Sequence, residues 1–357
     1  MTDEERARLL LSGPRGRRLC FQLLGNEIAG PPFWHSARST HDPAADVRAA
    51  LVADLQAALR RTDLAAVGRA DRLGTALVHS VDSSRYWQEP DDEDVLLADD
   101  VVAGELAPVA GAVVRAPASQ WWAEPLDATD QHVVAWEHDG ELVLPDATPG
   151  GLARWRAATV ADEMRAHRER PRDVRANWTG EWWSTPTSTG LLQTGRSRPV
   201  EIAGTGVTAV PVGLSLVEDG MGWRSARTWP VEVPAYTRVH EITGPEDWTA
   251  LVAQHPLEVT ASRRHDWWRL TGWDGTWLIP DWAAVATRID AVHVTVDGYL
   301  STAGRALPVE HPSGPAGTVL AGFAPDVTWW LTDVRAGLGQ PSDWRSDDHG
   351  ERWEPAR

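Results

Sequence analysis

Apolar residues fall at helical spacing through most of the first half of the chain. Val47, Leu51, Leu55 and Leu59 recur every fourth position and line one helix face. Asp42-Pro43 stands just ahead of them, an N-cap followed by a proline at the first helical position. A second helical stretch is expected over 63–81. A third opens at Asp91-Asp92-Glu93-Asp94, where acids complement the positive end of a helix, and its Ala-rich continuation runs to Val114 and stops near Pro117. Thr148-Pro149 opens another helix through Trp155, Val160 and Met164, ended by Pro171. Between them a hairpin is expected, with Val133-Val134-Ala135-Trp136 turning at Asp139-Gly140 into Leu142-Val143-Leu144.

The pattern shortens and alternates in the second half. Asp219-Gly220 is read as joining strands over 214–217 and 223–233, and Asp274-Gly275 as joining 267–273 to 276–279. Asp297-Gly298 ends the run 291–296. Two helices interrupt. Thr243-Gly244-Pro245-Glu246 has the form of a capping box, and Pro280-Asp281 opens a helix through Trp282, Val285 and Ala286. The fold class expected is α+β: a mainly helical domain with one hairpin over 1–170, then a Trp-rich domain over 177–340 on a mainly antiparallel sheet with inserted helices. Residues 341–357 are polar and contain proline, and are expected to form a loose tail.

Composition narrows the chemistry. The 357 residues include no apolar run of about 18, the length a spanning helix needs. The start, Met1-Thr2-Asp3-Glu4-Glu5-Arg6, is acidic where an export signal is basic, so a cytoplasmic location is expected. The single cysteine, Cys20, excludes an internal disulfide and a Cys-rich zinc site; in its apolar setting it is expected to be an inert buried thiol. All 34 basic residues are arginine, as codon use in a GC-rich genome would produce, and the absence of lysine excludes Schiff-base and P-loop chemistry. Net charge is −17, with 29 acids and 20 arginines over 1–175 and 22 and 14 beyond, so neither half reads as a nucleic-acid module. The clusters Arg15-Gly16-Arg17-Arg18 and 165–175 are read as solvated faces.

Tryptophan is the compositional outlier, 21 residues against 3 Phe and 3 Tyr, with fifteen beyond residue 176. An indole fills core space but also offers a flat face for stacking and an N–H that needs a partner. On a strand, the doublets Trp182-Trp183, Trp267-Trp268 and Trp329-Trp330 would point one ring to each side. Val292, Val294 and Val296 alternate with His293, Thr295 and Asp297. As a strand, this gives one face with imidazole, hydroxyl and carboxylate about 6–7 Å apart, either a plain solvent face or a ligand-facing row. In that second reading His293 is the general base, with Asp297 and His265 as further catalytic candidates.

Arg263, Arg264, His265 and Trp267 combine two guanidinium forks with a stacking ring, and fit either an anion-binding site or an exposed turn. Trp183, Ser184 and Thr185 join an aromatic ring to clustered hydroxyls. Gly204-Thr205-Gly206-Val207-Thr208-Ala209 matches a dinucleotide fingerprint in form, but Val210-Pro211 follows where a helix is required, so it is read as a turn. No metal-binding motif is present.

Pro14-Arg15-Gly16-Arg17-Arg18-Leu19-Cys20, Ser80-Val81-Asp82-Ser83-Ser84-Arg85-Tyr86-Trp87-Gln88, and the stretches 262–269 and 292–300 resemble a family of uncharacterised actinobacterial proteins, to which no activity is attached. Trp183-Ser184-Thr185-Pro186 is similar to the aromatic-Ser-Thr-Ser strand of ADP-ribosyltransferase-like folds, with proline in the last place. That resemblance implies NAD as cofactor and a glutamate acting on its ribose. Glu201, Glu218, Glu241 and Glu258 are the single candidates, since the E-x-E or Q-x-E signature is missing.

The expected function is a small-ligand-binding or enzymatic domain for a planar or anionic ligand, its cleft lined by Trp183, Arg263, Arg264, His265, Trp267, His293, Thr295 and Asp297. The alternatives are a non-catalytic protein-interaction module, in which surface Trp serve as hot spots, and the NAD-using transferase. No nucleic-acid or membrane partner is expected.

Overall fold

A computed structural model describes residues 1–25, 45–137, 141–142, 144, 146–202, 205–312, 314–347 and 352–356. The Asp42-Pro43 cap and the Asp139-Gly140 turn lie outside them. The helical first part runs α1 (Asp3–Ser12), α2 (Pro14–Gln22), α3 (Ala45–Arg61), α4 (Leu64–Val67), α5 (Ala70–Asp82), α6 (Asp92–Leu97), α7 (Asp100–Glu105) and α8 (Ala107–Arg115), then a 3-10 segment Pro117–Ala123 and strand β1 (His132–Trp136). Next come α9 (Gly151–Glu169), β2 (Gln193–Gly195), β3 (Ser197–Ile202), β4 (Gly206–Pro211), β5 (Ser225–Pro230), β6 (Val239–Ile242), α10 (Pro245–Gln254), β7 (Pro256–Glu258) and α11 (Thr260–Thr271). The chain closes with β8 (Thr276–Pro280), α12 (Trp282–Val285), β9 (Ala291–Val294), α13 (Val296–Thr302), β10 (Leu307–Val309), β11 (Ala316–Thr318), β12 (Val327–Trp330), β13 (Ser342–Ser346) and β14 (Trp353–Pro355).

The α+β class is borne out. The large sheet has the order β14-β13-β5-β1-β2-β12-β9-β6, antiparallel except where β6 meets β9. A four-stranded sheet, β10-β11-β8-β7, and the β3–β4 hairpin accompany it. Local chemistry sets several element ends as expected. Asp91 accepts from the Asp94 amide to cap α6, and Asp281 accepts from Ala284 to cap α12. The stretch 63–81 breaks at Gly68, where a Cβ would lie 2.9 Å from that of Ala116, and so becomes α4 and α5. On β12, Trp329 and Trp330 pack into different core clusters, one ring on each face.

Hydrogen bonding crosses the expected domain boundary. β1, from the helical part, sits inside the large sheet between β2 and β5, so one sheet spans residues 132–355. Its register, Val133 opposite Thr194 and Trp229, depends on partners that no local pattern reveals. The main core likewise mixes Leu19, Leu77 and Trp122 with Trp248, Val292 and Tyr299. The C-terminal stretch is no loose tail. β13 pairs with β5 and β14, Trp344 and Trp353 are buried, and Trp344 Nε1 donates to Thr228 Oγ1 at 2.8 Å.

Two Asp-Gly signals mislead. Residues 267–271 end helix α11, because Ala261, Trp267 and their neighbours face the core at helical spacing and Gly272 (φ 70°) stops the helix in the left-handed region. Residues 214–224 form no strand; a 3-10 turn over Val212–Leu214 leads into an irregular loop before β5. The capping box at Thr243 is shifted by one residue: its amide and hydroxyl both donate to Asp247, and Gly244 is the N-cap of α10. Arg15 and Arg18, expected on a solvated face, are buried against α6. Arg15 pairs with Asp94, and Arg18 with Asp91 at 2.7 Å and Glu93 at 2.8 Å.

The first and last thirds of the chain are joined by a buried ion pair. Arg6 of α1 donates through Nε to Asp297 of α13 at 2.6 Å, and through its other nitrogens to the carbonyls of Val114 and Ser119. Gly13, where α1 turns into α2, has no room for a side chain, since a Cβ would stand 2.2 Å from the Leu300 carbonyl. Asp297→Ala leaves the Arg6 guanidinium buried without its counter-charge, and is expected to cost about 3–5 kcal/mol in urea unfolding. The double variant Arg6→Met/Asp297→Leu, which removes both charges, is expected to recover most of that loss.

Candidate functional site

Alternation along β1 turns His132, Val134 and Trp136 to the side of the sheet opposite the buried Val133 and Ala135. That side is the floor of a cleft of about 350 Å³, a volume suited to a small molecule. Its walls include Trp136, Trp183, Trp223, Gln193 and Glu218. The three indoles are each half-buried. Trp136 and Trp223 stack at 5.0 Å between centroids and 25° between planes.

Trp183 is set by what lies behind it. It stacks on Trp182 at 3.6 Å, Trp267 Nε1 donates to the Trp182 carbonyl at 2.9 Å, and Arg263 Nε donates to the Trp183 carbonyl at 3.3 Å. Ser184 Oγ accepts from the Ala321 amide at 2.9 Å, and Thr185 Oγ1 donates to the Gly322 carbonyl at 3.1 Å. Gly322, at φ +80°, lies so close that a Cβ would meet the Trp183 ring at 2.3 Å. Of the expected site residues, Trp183, Ser184, Thr185, Arg263 and Trp267 thus come together, but only Trp183 lines the cleft. The 181–186 segment forms no strand, so the doublet Trp182-Trp183 stacks ring on ring and does not split across two faces.

Arg263 is 4 % exposed, and burial lowers its guanidinium to about 10. Arg264 is half-buried and reaches the Ala261 carbonyl at 3.5 Å. His265 is buried, its Nε2 without a hydrogen-bond partner among the described residues; burial and then Arg264 hold its imidazole below the ordinary value.

The row His293, Thr295, Asp297 does not exist as a face. The strand ends at Val294, where Thr295 becomes the N-cap of α13 and accepts from the Gly298 amide at 2.9 Å, and Asp297 is committed to Arg6. All three are buried away from the cleft. His293 Nδ1 meets Glu241 at 2.6 Å and Nε2 faces Asp326 at 3.5 Å. Asp326 is itself held by Arg196 at 2.8 Å, and Arg196 by Glu124. Burial opposes the imidazolium, but the two carboxylates outweigh it and raise His293 above its ordinary value. A histidine with both nitrogens taken by carboxylates has no free edge for a substrate proton.

The cleft lining itself holds two titratable side chains, His132, whose Nε2 meets Asp130 at 2.9 Å, and Glu218. Glu218 keeps some solvent contact along the cleft wall while its carboxyl group lies deep among protein atoms. Burial pushes that carboxyl up to about 7, against the pull of hydrogen bonds from Tyr86 and Tyr299 and the charge of Arg15. The Tyr86 hydroxyl donates to Glu218 Oε1. Both tyrosine hydroxyls are driven well above their ordinary value by burial and by the Glu218 charge, so they stay neutral. Glu218 stands out in the sequence only as one of four isolated glutamates. The stronger signal was the scarcity of tyrosine, since two of the three meet on this one carboxyl. Arginine is absent from the cleft lining among the described residues. Comparison with family models, with curated proteins and with solved structures gives no match, so the reading of this cleft rests on its own chemistry.

The two shifted groups give pH dependences of the same sign in different windows. His293 holds its proton more tightly in the folded state, so its contribution is complete below about pH 6.5 and is lost as pH rises through its higher folded value. Unfolding by urea is expected to show His293→Gln most destabilised near pH 5, the gap narrowing in base. Glu218 also has a raised value, so the wild type loses stability between its unfolded value of 4.5 and about 7. Glu218→Gln escapes that loss, and is expected to gain about 1–3 kcal/mol on the wild type between pH 5 and pH 8.5.

Proposed function

We propose that the protein binds a small planar ligand, neutral or cationic, in the Trp-lined cleft, with Glu218 as the acid–base group. The observation that carries this reading is the meeting of three half-buried indoles with an enclosed carboxyl of value about 7 in one small cleft. Indole faces favour a flat ring, and each stacking contact is worth about 0.5–1.5 kcal/mol beyond area burial. A carboxyl that titrates near neutrality can give a proton to, or take one from, a ring nitrogen or a leaving group held against it. The absence of arginine from the lining favours an uncharged or positive ligand over an anion. For the NAD-using alternative, the same point tells against seating the phosphates inside the cleft and leaves the nicotinamide ring as the part that fits.

Tryptophan fluorescence and melting temperature, read against adenine, nicotinamide, NAD and a sugar phosphate, test the proposal. At least one planar base is expected to quench fluorescence and raise the melting temperature, while the sugar phosphate does neither. Trp183→Ala is expected to weaken that binding by about tenfold. Unchanged fluorescence and melting across the whole panel would sink the reading.

A further inference from the structure

We infer that the cleft selects a planar cation, a flat ring with a permanent positive charge that the indoles stack and Glu218 balances. The inference rests on the reading of the cleft given above and narrows it to one class of ligand. The balance of charge at the cleft carries it. Two titratable side chains line the cleft, His132 and Glu218. His132 already has a counter-charge. Its Nε2 meets Asp130 Oδ1 at 2.9 Å, and Asp130 Oδ2 accepts from the Ser197 amide at 2.9 Å and hydroxyl at 3.0 Å. Glu218 has none so close. Its hydrogen bond comes from the neutral Tyr86 hydroxyl, and among the described residues no arginine or histidine stands within ion-pair distance of it. The arginines around it are engaged elsewhere: Arg15 pairs with Asp94, and Arg85 with Asp219 at 3.1 Å.

Ligands of different charge meet that carboxylate differently. An anion is repelled. A neutral ring closing over Glu218 takes away its remaining water and returns no charge, which is unfavourable for a carboxylate already largely enclosed. A planar cation supplies the missing counter-charge and is drawn to the electron-rich indole faces of Trp136, Trp183 and Trp223, each half-buried at the cleft. Among the described residues no arginine lines the cleft to compete for those rings or for the carboxylate. The titration of Glu218 agrees with this, since burial holds its carboxyl up at about 7, as expected of an anionic site short of positive charge. The net charge of −17 adds a field that draws cations toward the surface.

Calorimetric titration of the full chain with quinoline and with N-methylquinolinium tests the assignment at about pH 8.5, where Glu218 is ionised in the free protein. The two rings share an outline apart from the methyl group, and the second carries the charge. The wild type is expected to bind N-methylquinolinium at least about tenfold more tightly than quinoline. Glu218→Gln, which keeps the shape of the side chain and removes its charge, is expected to bring the two affinities within about threefold of each other. Asp219→Asn removes a charge one residue away, where asparagine tolerates the left-handed backbone (φ 48°), and is expected to keep the preference. That variant separates the carboxylate of the cleft from the overall negative field. Quinoline bound by the wild type as tightly as N-methylquinolinium would overturn the assignment and leave the planar-ligand reading in place, whether or not either variant folds. A preference that survives Glu218→Gln, or disappears in Asp219→Asn, would do the same. Binding of neither compound would instead remove the cleft reading, and the cation assignment with it.

Discussion

A guanidinium taken out of water must be met by a carboxylate or by several carbonyls, and the interior of this protein is organised around that requirement. With arginine as its basic residue throughout, each buried cation is a planar fork with fixed directions. Arg6 is the decisive case. It holds Asp297 at the start of α13 and, through two carbonyls, the end of α8 and the 3-10 segment after it. Because Asp297 is fixed, so is Tyr299 two residues later, whose hydroxyl meets Ser84 at 2.8 Å and adds to the setting of Glu218. Arg15 repeats the device one helix on, pairing with Asp94 while facing the same carboxyl. The helical layer therefore tempers the proton affinity of a cleft group that burial raises.

That dependence explains why the cleft sits where it does. Sheet strands supply its floor, but neither Trp183 nor Glu218 lies on a strand. Both are on irregular segments tied down by side chains, Trp183 through bonds of Ser184, Thr185 and Arg263 to backbone, Glu218 through the Tyr86 hydroxyl on its carboxyl. Loops carry functional groups well when the framework beneath them is rigid, and here α11 and the turn at Gly322 provide it. The residues expected to grip a ligand, Arg263 and Trp267, instead hold the segment that carries Trp183 to the cleft.

What the sequence disclosed divides along the range of the forces involved. Caps at Asp91 and Asp281, the stop at Pro171, the α+β class and the two-sided Trp329-Trp330 doublet depend on neighbours a few residues away, and all were legible. The alternation from Val292 to Asp297 was also real, but a period of two does not say where a strand ends. Thr295 as N-cap turned the second half of that pattern into helix. Asp-Gly at 274–275 was weighed as a hairpin although helical spacing preceded it. The place of β1 and the elevated carboxyl of Glu218 stayed hidden for a different reason, since their causes lie far along the chain: β1 pairs with residues 193–230, and Tyr86 stands 132 positions from Glu218.

The excess of tryptophan, the most visible anomaly in the composition, includes two populations with different physics. Trp248, Trp267, Trp282 and Trp330 are fully buried, and each indole N–H finds an oxygen, so their extra polarity over phenylalanine is used to fix a neighbouring segment. Trp267 and Trp282 make the point directly: their bonds fall on consecutive parts of the 182–184 strap. Trp136, Trp183 and Trp223 are different, half-buried and gathered on one cleft. Counting tryptophans therefore says little about function, because a core Trp and a ligand-facing Trp look alike in a sequence. What separates them is the fraction of ring left uncovered after every neighbour has packed, and that is decided by the strap the buried indoles hold in place.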